Sequence, residues 1–201
     1  IGGCYFRFYR PKNVKHVCVG RQFLTSHPNY LFAPDREVEK KLFLLNNKLT
    51  SQLCDKYLAL SFRPYEPRRS GNMTVMPPLI KQETRQAHPV HEDYILGYMV
   101  NDGYAEDVIA QHKNFPQLNL HCFWDRNNMP LTYSPHEHLT FHQIDNKLFT
   151  DYMERCKGYI STAGFESICE AMYLGKPTLM IPVDGQFEQA CNAIDGEISG
   201  A

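Results

Sequence analysis

Apolar residues along this chain fall into two alternating patterns, short strand-like runs and helical stripes. Residues 16–20, 56–62, 94–100, 118–124, 139–144, 159–161 and 178–182 are runs of strand length, rich in Val, Ile, Leu, Phe and Tyr and bounded by polar or turn residues. Over 35–54, Val38, Leu42, Leu45, Leu49 and Leu53 recur at three- and four-residue steps and predict a long helix with one apolar face. Further helices are predicted over 105–112, 147–156 and 165–174, with another starting near Glu188. The third of these is stopped by Gly175 and Pro177. The aromatic run over 2–9 reads as the end of a helix halted before Pro11. Strands alternating with helices at this spacing predict an α/β fold with parallel sheets, whose ligands sit outside the carboxyl ends of the strands.

The composition changes after the strand that ends at Phe62. Arg63, Arg68, Arg69, Pro64, Pro67, Gly71 and Asn72 leave little apolar content, so residues 66–78 are predicted to be a linker. It separates a first domain, 1–65, from a second, 79–201. In the second domain a strand (159–161) runs into the small-residue turn Thr162, Ala163, Gly164, then a helix, then a buried strand. At such a turn the backbone N–H groups and the positive end of the helix dipole converge, which suits a diphosphate. Glu170 lies in that helix, where a carboxylate can accept hydrogen bonds from two vicinal hydroxyls such as those of a ribose. Glu188, Gln189 and Asn192 follow the next strand and bring polar groups to the same kind of strand end.

In order and spacing, residues 158–193 resemble the donor-binding signature of GT-B fold glycosyltransferases. They are similar to the plant and vertebrate UDP-glycosyltransferases and to the bacterial peptidoglycan N-acetylglucosaminyltransferase. Gly20-Arg21-Gln22-Phe23, Tyr94-Ile95-Leu96-Gly97 and Phe123-Trp124-Asp125 also resemble a bacterial branch of glycosyltransferase family proteins. The resemblance implies two Rossmann-like domains, the first only partly present because the chain reads as an internal fragment, inactive by itself. It implies a metal-independent, inverting transferase of the hexosyltransferase type that moves a sugar from a nucleotide sugar, a UDP-sugar, to a hydroxyl acceptor. That acceptor is a glycan, a lipid or a small molecule. Gly164, Phe165 and Ser167, with Thr162 and Ala163, are placed at the diphosphate, Glu170 at the ribose, Glu188 and Gln189 at sugar hydroxyls and Asn192 near the phosphates. Strand-end position adds Asn101 and Gly103, and also His142, Gln143 and Ile144, around phosphates and base. Arg21, Gln22 and His27 follow the strand 16–20 and are expected on the acceptor side. His27 is a candidate for the general base, although the resemblance places that base upstream of Ile1. Thr162 and Glu166 depart from the plant pattern of His and Asn, and a carboxylate at Glu166 would repel phosphate if it pointed inward. Two other functions share this fold: a nucleotide-sugar 2-epimerase and a non-catalytic nucleotide-sugar binder.

The remaining features exclude more than they add. A net charge of −1 with no basic run gives no electrostatic reason to expect nucleic acid. The seven cysteines are odd in number and never spaced Cys-x-x-Cys, which predicts reduced thiols rather than a disulfide frame or zinc knuckle. The expected location is therefore the cytoplasm, with room for peripheral contact at the inner membrane face through a region upstream. His136, His138 and His142 suggest a metal cluster, but in a strand residues four apart are ~13 Å apart, so no metal and no cofactor beyond the nucleotide sugar is expected.

Overall fold

The structure is a computed structural model that describes residues 13–51, 54–98, 103–126 and 128–201. The aromatic run over 2–9, Leu53 and Asn101 lie outside the described residues. The chain divides into two compact units. One takes in the chain as far as Leu79 and the returning segment Pro182–Gly200, and the other is Ile80–Ile181. No helix among the described residues is long and apolar enough to cross a membrane.

The first unit holds strands β1 (Val17–Gly20), β2 (Lys56–Leu60), β3 (Arg69–Ser70) and β4 (Met73–Met76) in the order β1-β2-β4-β3. The first three run parallel, and β3 is antiparallel to β4. Residues 66–78 are therefore not a linker: β4 is a strand of this sheet, with Met73, Thr74 and Val75 buried. A 3-10 helix (Arg21–Ser26) leaves β1, and helix α1 (Glu37–Thr50) precedes β2. The apolar stripe of α1 is turned outward, Val38, Leu42, Leu45 and Leu49 being 50–69% exposed. Inward sit Phe43, whose ring is 5.8 Å from that of Phe187, and Asn47, whose amide donates to the Gln22 carbonyl at 3.4 Å. Periodicity fixed the helix but not its facing.

Helix α6 (Phe187–Ile198) also belongs to this unit, so the second domain does not run to the end of the chain as expected. Phe187 and Cys191 are buried with Leu24, Tyr30, Ala59, Met73 and Val75, and this packing draws Pro182–Gly200 away from the second unit. Asp195, fully buried on the same helix, locks it in place. Its carboxylate accepts hydrogen bonds from Arg21 at 2.6 Å, Arg63 at 2.8 Å and the Tyr65 hydroxyl at 2.7 Å. Burial alone would push the Asp195 carboxyl up, but the Arg21 charge and the donors from Tyr65, Arg21 and Arg63 outweigh it and hold it below the usual range. Burial and the bond to Asp195 push the Tyr65 phenol up to about 12, so it remains a donor. Cys18 and Cys54 form a disulfide, contrary to the reduced thiols expected, because β1 and the loop before β2 bring them side by side.

The second unit is a six-stranded sheet, β10-β9-β5-β6-β8-β7, built from β5 (Ile95–Tyr98), β6 (Leu120–Trp124), β7 (Thr132–His136), β8 (Leu139–Gln143), β9 (Gly158–Thr162) and β10 (Thr178–Ile181). All neighbours are parallel except β7, which pairs antiparallel with β8 and carries a register shift between Tyr133 and His136. Strand β7 falls between the predicted strands 118–124 and 139–144, where no strand is predicted. Its helices are α2 (Gln82–Gln86), α3 (Gly103–His112), α4 (Asn146–Arg155) and α5 (Glu166–Tyr173). Asp145 caps α4 by accepting from the Leu148 N–H at 2.7 Å. Helix α5 ends as predicted at Gly175, left-handed at φ 68°, where the Gly175 and Lys176 N–H groups return to the Met172 and Ala171 carbonyls. On one face of the sheet Trp124 stacks on Phe141, ring centroids 4.4 Å apart. On the other, His142 lies against Phe123 and Tyr152, its Nε2 3.0 Å from Nδ1 of His121.

Two expected outcomes follow from these buried groups. Asp195→Ala leaves the buried Arg21 guanidinium without the Asp195 carboxylate, so urea unfolding of the variant shows a loss of about 3–5 kcal/mol. Because the Asp195 pKa is depressed, its contribution is present above the unfolded value of about 3.9 and fades as pH falls through the folded one; the variant lacks this acid limb. His142 behaves in the opposite chemical sense. Burial, reinforced by His121, pushes it down to about 4, so the unfolded chain takes up the proton first. Stability then declines as pH falls from about 6.5 toward that value, and His142→Phe flattens the decline in thermal melts across this window.

Candidate functional site

The order of the parallel strands sets where a ligand can lie in the second unit. From β5 the chain moves outward through β6 to β8, then returns to the other side of β5 for β9 and β10. The reversal falls between β5 and β9, and the crevice outside their carboxyl ends is the ligand position of an open α/β sheet. Ser161 ties the two strands together there by donating to the Tyr98 carbonyl at 2.9 Å. The chain leaves β9 through Ala163 and Gly164, with a tight turn in which the Gly164 N–H returns to the Thr162 carbonyl at 2.6 Å. A Cβ built on Gly164 would meet nothing closer than that same carbonyl oxygen at 4.0 Å, so the space over the turn is open to an incoming group. Helix α5 then begins without a side-chain cap from Phe165, and Ser167 stands half-buried in its first turn. Glu166 is exposed. The positive end of α5 thus lies at the switch point, where it favours an anion.

Glu170 is one turn further along α5 and is 3% exposed. Its carboxylate is 3.3 Å from the Lys81 ammonium, which itself remains about half exposed. A buried carboxylate needs a partner, and Lys81 supplies it. Because Lys81 is about half exposed, a ligand offering two hydroxyl donors can take over Glu170 without leaving either charge stranded. Gly103, the first residue of α3, follows β5 and so belongs to the same strand ends as the β9 turn.

Other candidates in this unit are engaged elsewhere. β8 is separated from β5 by β6, so His142, Gln143 and Ile144 stand away from the switch point. His142 is buried against His121 and the aromatic face. The Gln143 amide donates to the Arg126 carbonyl at 2.6 Å and so pins the loop after β6. Ile144 is exposed just beyond β8. His136 pairs with His112 and His142 with His121, so the histidines clustered in sequence over 136–142 face different partners.

The candidates in the first unit form a separate set. Arg21, expected on the acceptor side, is buried: its Nε donates to the Asn192 carbonyl oxygen at 3.1 Å and its Nη2 to Asp195. Asn192, expected near phosphates, is thereby joined to Arg21 inside the unit. Gln189 accepts from the Val183 N–H at 3.0 Å and closes the turn that leads into α6. Glu188 is half-buried, and burial pushes its carboxyl up against the opposing charge of Arg21. The Gln22 side chain lies over Gly20, where a Cβ would stand 2.4 Å from its Oε1. His27 is buried, with Nδ1 accepting from the Asn29 N–H at 3.1 Å. The proton therefore sits on Nε2, which donates to the Pro67 carbonyl at 2.9 Å. Both nitrogens are occupied, so as found His27 is no general base.

Sequence reasoning missed Lys81, Arg63, Tyr65 and Asp195. Lys81 and Glu170 are 89 residues apart, and no local pattern links them. Asp195 did leave a signal: with Phe187 and Cys191 it falls at four-residue steps on the buried stripe of α6, where an acidic residue demands a buried partner.

No curated protein sequence matches the chain. Among solved structures it is similar to the glycotransferase of kitacinnamycin, at 14% identity and a TM-score of 0.52, over 80% of this chain and 47% of that one. It also matches the glycosyltransferase SnogD from Streptomyces nogalater, at 12% identity and a TM-score of 0.43, over 79% of this chain and 47% of that one. The chain thus spans about half the length of these solved relatives, and the first of them shows the GT-B fold for the stretch it covers. The model of glycosyl transferase family 1 matches residues 17–197, nearly the whole chain, and to that family the chain belongs.

Proposed function

We propose that the chain is the nucleotide-sugar-binding part of a glycosyltransferase that acts without a metal ion. The observation that carries this reading is the turn Ala163–Gly164 feeding α5 at the β5/β9 switch point, with the buried carboxylate of Glu170 one turn along the same helix. In the transfer, the bond from the anomeric carbon to the diphosphate oxygen breaks and its electron pair leaves with the diphosphate. An acceptor hydroxyl forms the new bond to that carbon and gives its proton to a base. The positive end of α5 meets the charge that develops on the leaving diphosphate, which is where such stabilisation lowers the barrier. Glu170 holds the ribose, for which a uridine diphosphate sugar is the proposed donor. Glu188 and Gln189 are assigned to sugar hydroxyls. The acceptor is a hydroxyl of a glycan, a lipid or a small molecule, and neither His27 nor His142 is assigned the base.

Titration calorimetry with uridine diphosphate tests the first assignment. Hydrogen bonds to a charged group contribute roughly 1.5–3 kcal/mol, so Glu170→Ala weakens nucleotide binding about ten- to a hundred-fold. Equal affinity in both proteins removes Glu170 from the site. Gln189 calls for kinetics instead, since it also supports the loop at Val183. Gln189→Ala lowers kcat for nucleoside diphosphate release from a nucleotide sugar more than it lowers affinity for the free nucleotide. A parallel loss in both would assign Gln189 to the loop alone.

A further inference from the structure

A second cluster of chemically active groups lies in the first unit, at the amino ends of its strands and not at the carboxyl ends. His16 immediately precedes β1, Cys18 is the second residue of β1, and Cys54 closes the loop that enters β2. Their ligand atoms all lie within 4.8 Å of one another, and among the described residues no other three His, Cys, Asp or Glu side chains converge in this way. The His16 imidazole faces both sulfurs. Its Nδ1 is 3.7 Å from the Cys54 Sγ, and its Nε2 is 3.9 Å from the Sγ of each cysteine.

The backbone fixes this arrangement. His16 accepts from the Asp55 and Lys56 N–H groups at 2.8 and 3.3 Å, and its own N–H donates to the Asp55 carboxylate at 2.6 Å. The parallel pairing of Cys18 with Tyr57 continues the clasp into the sheet. A tetrahedral zinc ion, with bonds of about 2.3 Å to sulfur and 2.0 Å to nitrogen, sets nitrogen–sulfur edges of about 3.5 Å, close to the separations found. Cys54 is buried while His16 and Cys18 are half-buried, so an ion held there keeps one face toward water, the open fourth position of a three-ligand site.

We propose that His16, Cys18 and Cys54 form a redox-gated site for a thiophilic divalent cation, with Zn²⁺ as its probe. In the disulfide neither sulfur is a thiolate, and the site is closed. A thiol or phosphine reductant donates two electrons to the sulfur–sulfur bond, and two protons complete the Cys18 and Cys54 thiols while the reductant is oxidised. Zn²⁺ then displaces those two protons as the thiolates and the neutral His16 ring coordinate it. A low-molecular-weight disulfide such as oxidised glutathione reverses the sequence: it is reduced to two thiols, the cysteines rejoin and the ion leaves.

The test uses the whole chain, prepared oxidised and, in parallel, reduced with a phosphine that is then removed under nitrogen. Titrated against a chromophoric chelator, the reduced protein is expected to take up one Zn²⁺ per chain and the oxidised protein none. Co²⁺ in place of Zn²⁺ is expected to give a thiolate-to-cobalt charge-transfer band. The C18S/C54S variant loses both signals although Cys122, Cys156, Cys169 and Cys191 remain. H16A keeps the band and binds more weakly. Since the oxidised and reduced samples share one sequence, the comparison does not depend on a variant folding. Equal uptake by both forms, uptake unchanged in C18S/C54S, or no stoichiometric uptake by the reduced protein would each overturn the proposal.

Discussion

The carboxylate of Asp195 is the interaction on which the first unit depends. It is fully buried, and no charge is stable there without compensation; two arginines and a tyrosine provide it from segments that follow β1 and β2. Arg21 and Asp195 are 174 residues apart, and the whole second unit lies between them in the chain. The first sheet therefore cannot complete its core until the chain has passed through the second unit and returned. Contacts of this sequence separation are slow to form, because the loop must close before they contribute anything.

That return explains why the signature over residues 158–193 is continuous in sequence and divided in packing. Its first part, through β9, α5 and β10, belongs to the sheet whose switch point carries the turn at Gly164. Its last part, with Glu188, Gln189 and Asn192, is built into the core beside Arg21. Motif order alone suggests that one sheet carries both parts. The burial of Phe187 and Cys191 decides otherwise, since an apolar stripe goes where it finds a matching core.

What could be read from the sequence was mostly local. Strands β5, β6, β8, β9 and β10 are visible because each is a β-forming run between turns, and α5 because Gly175 and Pro177 end it. β4 and β7 were hidden, being short and flanked by Arg, Pro and Gly or by polar residues, and it is their partners β2 and β8 that make them strands. For α1 the period was legible but not the direction, because Val38, Leu42 and Phe43 are equally apolar and tertiary packing chose Phe43. Of the candidate site, the turn and the placing of Glu170 on the helix after it were legible, whereas Lys81 was not, and neither was the proximity of Cys18 to Cys54 across 36 residues.

The irregular pairing of β7 bears on how the protein behaves in company. As the last strand of the second sheet, β7 presents the edge at which a foreign strand could add by backbone hydrogen bonding. Pro135 lies within it and offers no N–H, and the register shift between Tyr133 and His136 breaks the even spacing of donors and acceptors along its length. An edge interrupted in this way is a poor template. The strand that terminates the sheet there thereby also guards that edge against self-association and fibre growth.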